Sequence, residues 1–240
     1  MKARLGDPAV IVTLGLLAGC SRASEPTAES VYTVDLKPDD FVGAVDNPYF
    51  PLTPGATYVY EATTGEGLEH TEIEMLSDTR QVMGITATVV RDTVTLDGQL
   101  IEDTYDWYAQ DTSGRVWYLG EDVSNYENGQ SVGKAGSSED GVDGALPGII
   151  MLGDPSSHVG ETYRQEYHQG HAEDMADLVG VNESLTVSHG SFTDVVKTLD
   201  YTPPEPDARE EKYYAGGIGL IKTVDLTTSE ADLLLRYSAP

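Results

Sequence analysis

The chain has 240 residues, of which 14 are Lys or Arg and 41 are Asp or Glu, for a formal net charge of -27. Binding to a phosphate backbone depends on basic side chains that release counterions, so this balance excludes a nucleic-acid partner. A single Cys excludes a disulfide framework.

Taken in chain order, the first signal is an address. Lys2 and Arg4 precede an apolar run over 9–18, too short for a permanent membrane helix but matching the charged start and apolar core of an export signal. The run ends in Leu17-Ala18-Gly19-Cys20, which resembles the bacterial lipobox, where Cys is lipidated and becomes the first mature residue. Residues 1–19 therefore read as a lipoprotein signal peptide. Cys20 reads as the lipidation site, carrying palmitate-like chains that bind the membrane at about 0.8 kcal/mol per buried methylene. Residues 20–30 read as lipidated Cys and small polar tether. The expected location is outside the cytosol, on a bacterial membrane, facing the periplasm or the cell exterior.

Residues 31–240 read as one β-rich domain. No 3.6-residue apolar period is sustained; short runs of Val, Thr, Tyr and Ile alternate with Gly, Asp and Asn. Strands are expected over 56–63, 69–77, 84–96, 99–110, 115–126, 130–134, 161–168, 171–179, 183–188, 192–200, 210–215, 218–226 and 230–237. Asp97-Gly98 and Asn128-Gly129 predict two-residue hairpin turns, Asp111 to Gly114 a longer one, and Gln169-Gly170 a tight one. A helix competes with a strand over 172–179. Residues 47–54 hold three prolines and predict an extended segment without ladder pairing. A long Gly-rich loop is expected over 133–148. The fold class is all-β and mostly antiparallel. So many strands in one sheet must curl, giving a half-barrel or barrel-like sandwich.

Several stretches carry a resemblance: Asn47-Pro48-Tyr49-Phe50-Pro51-Leu52, Val90-Arg91-Asp92-Thr93-Val94, the run from Glu102 to Asp111, Val116-Trp117-Tyr118 with Gly120-Glu121-Asp122, Gly141 to Ala145, and Tyr213-Tyr214-Ala215 with Gly217-Ile218-Gly219. Together they resemble a family of uncharacterised exported bacterial lipoproteins. The resemblance implies export and lipidation, and assigns no activity, cofactor or site residue.

Three groups of side chains are candidates for chemistry. Threading the hairpins puts Asp92 opposite Asp103 and Asp103 opposite Asp122, a carboxylate row across three strands. Directly opposed like charges are destabilising, so the row calls for calcium, a shared proton or an Arg; the alternative is a solvated acidic stripe. A three-residue turn closing on Gly114 would move Asp122 to the other face. Arg91 is expected diagonal to Glu102 and Asp106 as a structural ion pair. The second group is Glu166, His168, His171 and Glu173, brought to one face by a tight turn and offering nitrogen and carboxylate ligands to zinc, against exposed hairpin residues. The third is the acidic loop from Glu139 to Gly144, weakly like a calcium loop and expected to be flexible and solvated. His70, His158 and His189 stand alone.

No nucleophile motif is present. The leading reading is a membrane-tethered binding or interaction module without catalysis, its ligand a small molecule, a glycan or a protein. Calcium or zinc binding is the second reading. The third is a hydrolase using paired carboxylates such as Asp92 and Asp103.

Overall fold

The computed structural model describes residues 32–240. The signal peptide, Cys20 and the polar tether lie outside the described residues. The strands are β1 (Thr57–Thr63), β2 (Leu68–Val82), β3 (Ile85–Leu96), β4 (Gln99–Gln110), β5 (Val116–Glu127), β6 (Gln130–Gly133), β7 (Ser138–Glu139), β8 (Leu146–Met151), β9 (Thr162–Arg164), β10 (Glu166–Tyr167), β11 (Met175–Val187), β12 (Gly190–Thr202), β13 (Glu205–Ala215), β14 (Gly219–Asp225) and β15 (Ala231–Ser238). The expected all-β, antiparallel architecture is what forms. Asp97-Gly98 and Asn128-Gly129 both take positive φ and make their hairpins, as does Met83-Gly84, a turn that no Asn or Asp announces.

All fifteen strands belong to one sheet, in the order β10-β8-β5-β4-β3-β2-β1-β15-β14-β13-β12-β11-β9, with β6 and β7 also pairing β5. The first and last strands are therefore neighbours in the middle. The two outermost strands, β9 and β10, are consecutive along the chain and separated only by Gln165. The sheet curls without closing, and one short segment carries both of its edges: β9 pairs β11, and β10 pairs β8. Backbones meet closely at this seam. A Cβ on Gly148 would sit 2.2 Å from the carbonyl carbon of Gln165.

Alternation of side chains puts one set of residues inside the curl. At one end that set is aromatic and aliphatic: Tyr58, Tyr60, Ile73, Met75, Tyr108, Tyr118, Tyr214 and Leu234 are buried there, under Phe50 and Leu52 from the proline-rich segment. Toward the other end the same strands turn polar: β4 runs from Tyr108 to Asp106 and Thr104, β12 from Val196 to Thr198 and Asp200, and β13 from Tyr214 to Lys212 and Glu210. A second core lies on the outer face of β2–β5, where Trp107, Trp117, Leu119 and Ile85 are covered by Val34, Leu36 and Phe41.

Three local expectations are corrected. The segments 171–179 and 183–188 form one irregular strand, β11, rather than two strands or a helix. The Gly-rich loop ends early, because Leu146–Met151 is apolar enough to pair β5 as β8. The acidic loop is ordered: Asp140 is buried, its N–H bonds Leu119 O at 3.2 Å, and β7 pairs with Gly120 and Glu121.

A candidate ligand cleft at the acidic end of the sheet

The expected carboxylate row does not form. Three shifts decide this: an irregularity in the β3–β4 pairing after Val94, a β4–β5 turn of three residues in place of four, and an irregularity in β4–β5 between Asp106 and Tyr108. A one-residue slip moves every side chain to the other face. Asp92 thus lies opposite Thr104 on the inner face, while Asp103 lies opposite Thr93 on the outer face. Asp122 shares the outer face but is opposite Tyr105, diagonal to Asp103. Each outer acid has its own base. Arg91 holds Asp103 with two bonds, Nε–Oδ1 at 2.8 Å and Nη2–Oδ2 at 3.0 Å, in place of the expected Glu102 and Asp106. Lys134 pairs with Asp122. These three carboxylates converge on no common point, so the calcium row and the glycosidase-like pair are both corrected.

The His/Glu hairpin is also rearranged. His168 pairs with Ala172 around a three-residue turn, so His171 is not its direct partner. The two rings nevertheless meet, with centroids 4.6 Å apart. Glu173 turns back to accept the Gly170 N–H at 2.9 Å, and Glu166 is buried and accepts the Ser138 hydroxyl at 3.1 Å. Among the described residues, no group of three His, Cys, Asp or Glu is placed to hold a metal ion. His70, His158 and His189 sit in local contacts, with Glu61, Glu161 and the Tyr237 N–H respectively.

What the fold does bring together is a cleft of 520 Å³ at the polar end of the curl. Glu102 comes from β4, Glu121 from β5, Glu166 from β10, Asp174 from the segment before β11, and Glu205 from β13. His168 and His171 stand on one side, and the strap 135–138 covers another. No Lys or Arg lines it. The strap separates this cleft from a 290 Å³ cavity that shares Glu121, Ser137, Ser138 and His168. It can lie this close because Gly120, at φ +116°, has no side chain; a Cβ there would be 2.3 Å from Ser138 O.

Behind the cleft, Asp106 and Glu121 are direct cross-strand partners and both are buried, at 2% and 7% exposure. The Tyr118 hydroxyl donates to Asp106 Oδ1 at 3.3 Å. Burial, with Glu121 and Asp106 beside it, pushes the Tyr118 phenol well above its usual range, so it stays a donor. Lys212, the one buried base among the described residues, is 2.9 Å from Asp200 and 3.7 Å from Glu210. Burial favours a neutral lysine, but those two carboxylates outweigh it and raise its pKa. Asp174, Thr202 and Glu205 belong to no sequence motif, and Glu121 enters only within the Gly120-Glu121-Asp122 stretch. For Glu121 and Thr202 the signal is a polar residue at an inward strand position, readable only once the register is known; Asp174 precedes β11 and carries no periodicity signal.

No protein-family model matches the chain, and no curated protein matches it. Among solved structures, a candidate lipoprotein from Parabacteroides distasonis is similar, with a TM-score of 0.42 and 12% identity over 80% of this chain and 99% of that one.

Proposed function

We propose that this protein is an exported, lipid-anchored binding module with a single β-domain whose ligand enters the acidic-end cleft, and that it catalyses no reaction. The cleft carries this reading: 520 Å³ lies in the range of small-molecule sites, and side chains from five separate elements converge on it. Export and anchoring are supported by Lys2, Arg4, the apolar run and Leu17-Ala18-Gly19-Cys20. Among the described residues no helix is long and apolar enough to cross a membrane. Labelled palmitate should enter the wild-type chain and not Cys20→Ser; equal labelling of both sinks the anchor. Native mass spectrometry of gently purified protein should show a bound small molecule that Ala172→Trp, which fills the cleft, displaces.

A further inference from the structure

We propose that residues 32–36 form a latch on the cleft: seated, Tyr32 holds β10 against β8 and keeps one cleft wall shut, and when Tyr32 leaves its seat that wall swings out. This adds a gate to the cleft-binding reading above and rests on it.

The wall in question is the segment 166–172, which supplies Glu166, His168, His171 and Ala172 to the cleft. Its attachment is slight. β10 meets β8 through Glu166↔Pro147 and Tyr167↔Leu146 alone, whereas β3 and β4 stay paired from Thr88↔Tyr108 to Leu96↔Gln99. β10 also ends the strand order, with no strand beyond it. A short edge element with so little ladder opens at far lower cost than the sheet's interior. Alternation turns Glu166 inward, where it is buried against the cleft, and Tyr167 outward.

Tyr32 sits on that outward side and touches both strands. Its hydroxyl donates to Pro147 O of β8 at 2.9 Å, and its ring lies against Tyr167 of β10 with centroids 5.4 Å apart, tilted by 59°. Arg164, at the end of β9, completes the clasp. Its guanidinium carbon is 4.5 Å from the Tyr167 ring centre and 5.6 Å from that of Tyr32, and its Nη1 donates to Glu173 O at 3.2 Å, just past the other end of the wall. Tilted rings and a cation over a ring attract most strongly where water is displaced, as at this seam. One side chain thus grips β8 through its hydroxyl and β10 through its ring.

The segment that carries Tyr32 is itself lightly held. Residues 32–36 join no strand ladder. Val34 and Leu36 rest on the outer core, and backbone bonds begin further on, where Asp40 O accepts the Thr112 N–H at 2.8 Å and the Val42 N–H donates to Gln110 O at 2.9 Å. Tyr32 can therefore leave the seam without breaking any strand pairing. It also stands where the expected tether meets the domain, twelve residues past Cys20.

The test uses the full-length chain in detergent carrying Thr202→Cys, a change of similar size at a cleft position 3% exposed, on β12 and not on the wall. Labelling by a thiol reagent is read by mass spectrometry on the peptide that holds residue 202, so the state of Cys20 does not enter. Tyr32→Ala should speed labelling at least tenfold, and Tyr32→Phe, which keeps the ring and loses the hydroxyl, by a smaller factor. Amide exchange should quicken over 146–149 and 165–173 and stay unchanged in the β1–β15 ladder. Tyr49→Ala removes a half-buried ring at the apolar end and should change labelling less than twofold. No acceleration in Tyr32→Ala, or equal acceleration in Tyr49→Ala, overturns the latch. If Tyr32→Ala loses its melting transition, Tyr32→Phe decides, and unchanged labelling there overturns it too. If labelling is unchanged while a co-purified molecule is displaced by Ala172→Trp, the latch falls and the binding reading stands. If labelling quickens as expected while no molecule is ever found in the cleft, the latch stands and the binding reading falls.

Discussion

Asp111 shows how much one side chain can organise. Its carboxylate accepts bonds from Ser113 N at 2.9 Å, Ser113 Oγ at 2.6 Å, Arg115 N at 3.1 Å, Arg115 Nε at 2.7 Å and Trp117 Nε1 at 3.0 Å. Burial opposes its ionisation, but these donors outweigh that and hold its pKa below the usual carboxylate range. Asp111→Ala strands a buried indole N–H and the turn amides, and should cost about 3 kcal/mol, or roughly 6–12 °C in melting temperature for a domain of this size. With the folded pKa depressed, its contribution is present above the unfolded pKa and disappears as the solution is acidified through the folded one. Asp232 works in the opposite sense. Burial, then Glu69 and Glu210, push its carboxyl from 3.8 up to about 7. Its folded form holds a proton that the unfolded chain has lost, so stability from this group is complete below pH 3.8 and declines until about pH 7. Asp232→Asn should match wild type near pH 4 and melt higher at pH 8. A difference that does not grow with pH between those points would remove the assignment.

Elements were more legible than the contacts between them. Strand β4 falls on 99–110 as periodicity predicts, and the Asp97-Gly98 hairpin closes on Leu96 and Gln99 as expected. The carboxylate row failed for a physical reason: a bulge inserts one residue with no composition signal, and beyond it the face of every residue is reversed. Asp92 and Asp103 are the direct casualties. Strand β8 escaped because Gly148 looked like the end of a flexible loop. Its lack of a side chain instead lets the seam pass, with Gln165 backbone at 2.2–2.4 Å from where a Cβ would be. Gly148→Ala must push β8 and the β9–β10 segment apart, at a cost of about 2–3 kcal/mol or more. Gly120→Ala forces a side chain into both a positive φ and the strap. Hydrogen exchange separates them: Gly120→Ala should speed exchange of 134–139 alone, while Gly148→Ala should expose 146–151 and 162–167 together.

At the scale of the whole molecule, the defining contact is between the first and last strands. Strand β1 pairs β15 from Thr57↔Ser238 to Glu61↔Leu233, at the centre of the strand order rather than at an edge. Terminal strands of most domains can be trimmed at modest cost because they lie at the margin. Here removal of 231–240 would unpair one side of β1 and one side of β14, and would take Leu234, fully buried, out of the apolar end. The two halves of the sheet, β1 to β10 on one side and β14 to β9 on the other, would then share no strand ladder and would be held by the seam at Gln165, by the Tyr58 and Tyr60 hydroxyls on Ile218 O and Leu220 O, and by the packing of the apolar end. Such a chain should lose its cooperative melting transition and bind dyes specific for exposed apolar surface. Substituting glycine throughout the four-residue β6–β7 connection, 134–137, should leave the transition in place. The same topology sets the order of events in folding. Pairing across 170 or more residues carries a large loop-closure cost before it is rewarded, so refolding should be slow for the protein's stability, in the range of milliseconds to seconds. Mutations in the β1–β15 ladder, such as Leu234→Ala, test whether that closure is the limiting step. If the ladder forms in the transition state, Leu234→Ala slows refolding; if it forms afterwards, the same loss of stability appears entirely as faster unfolding.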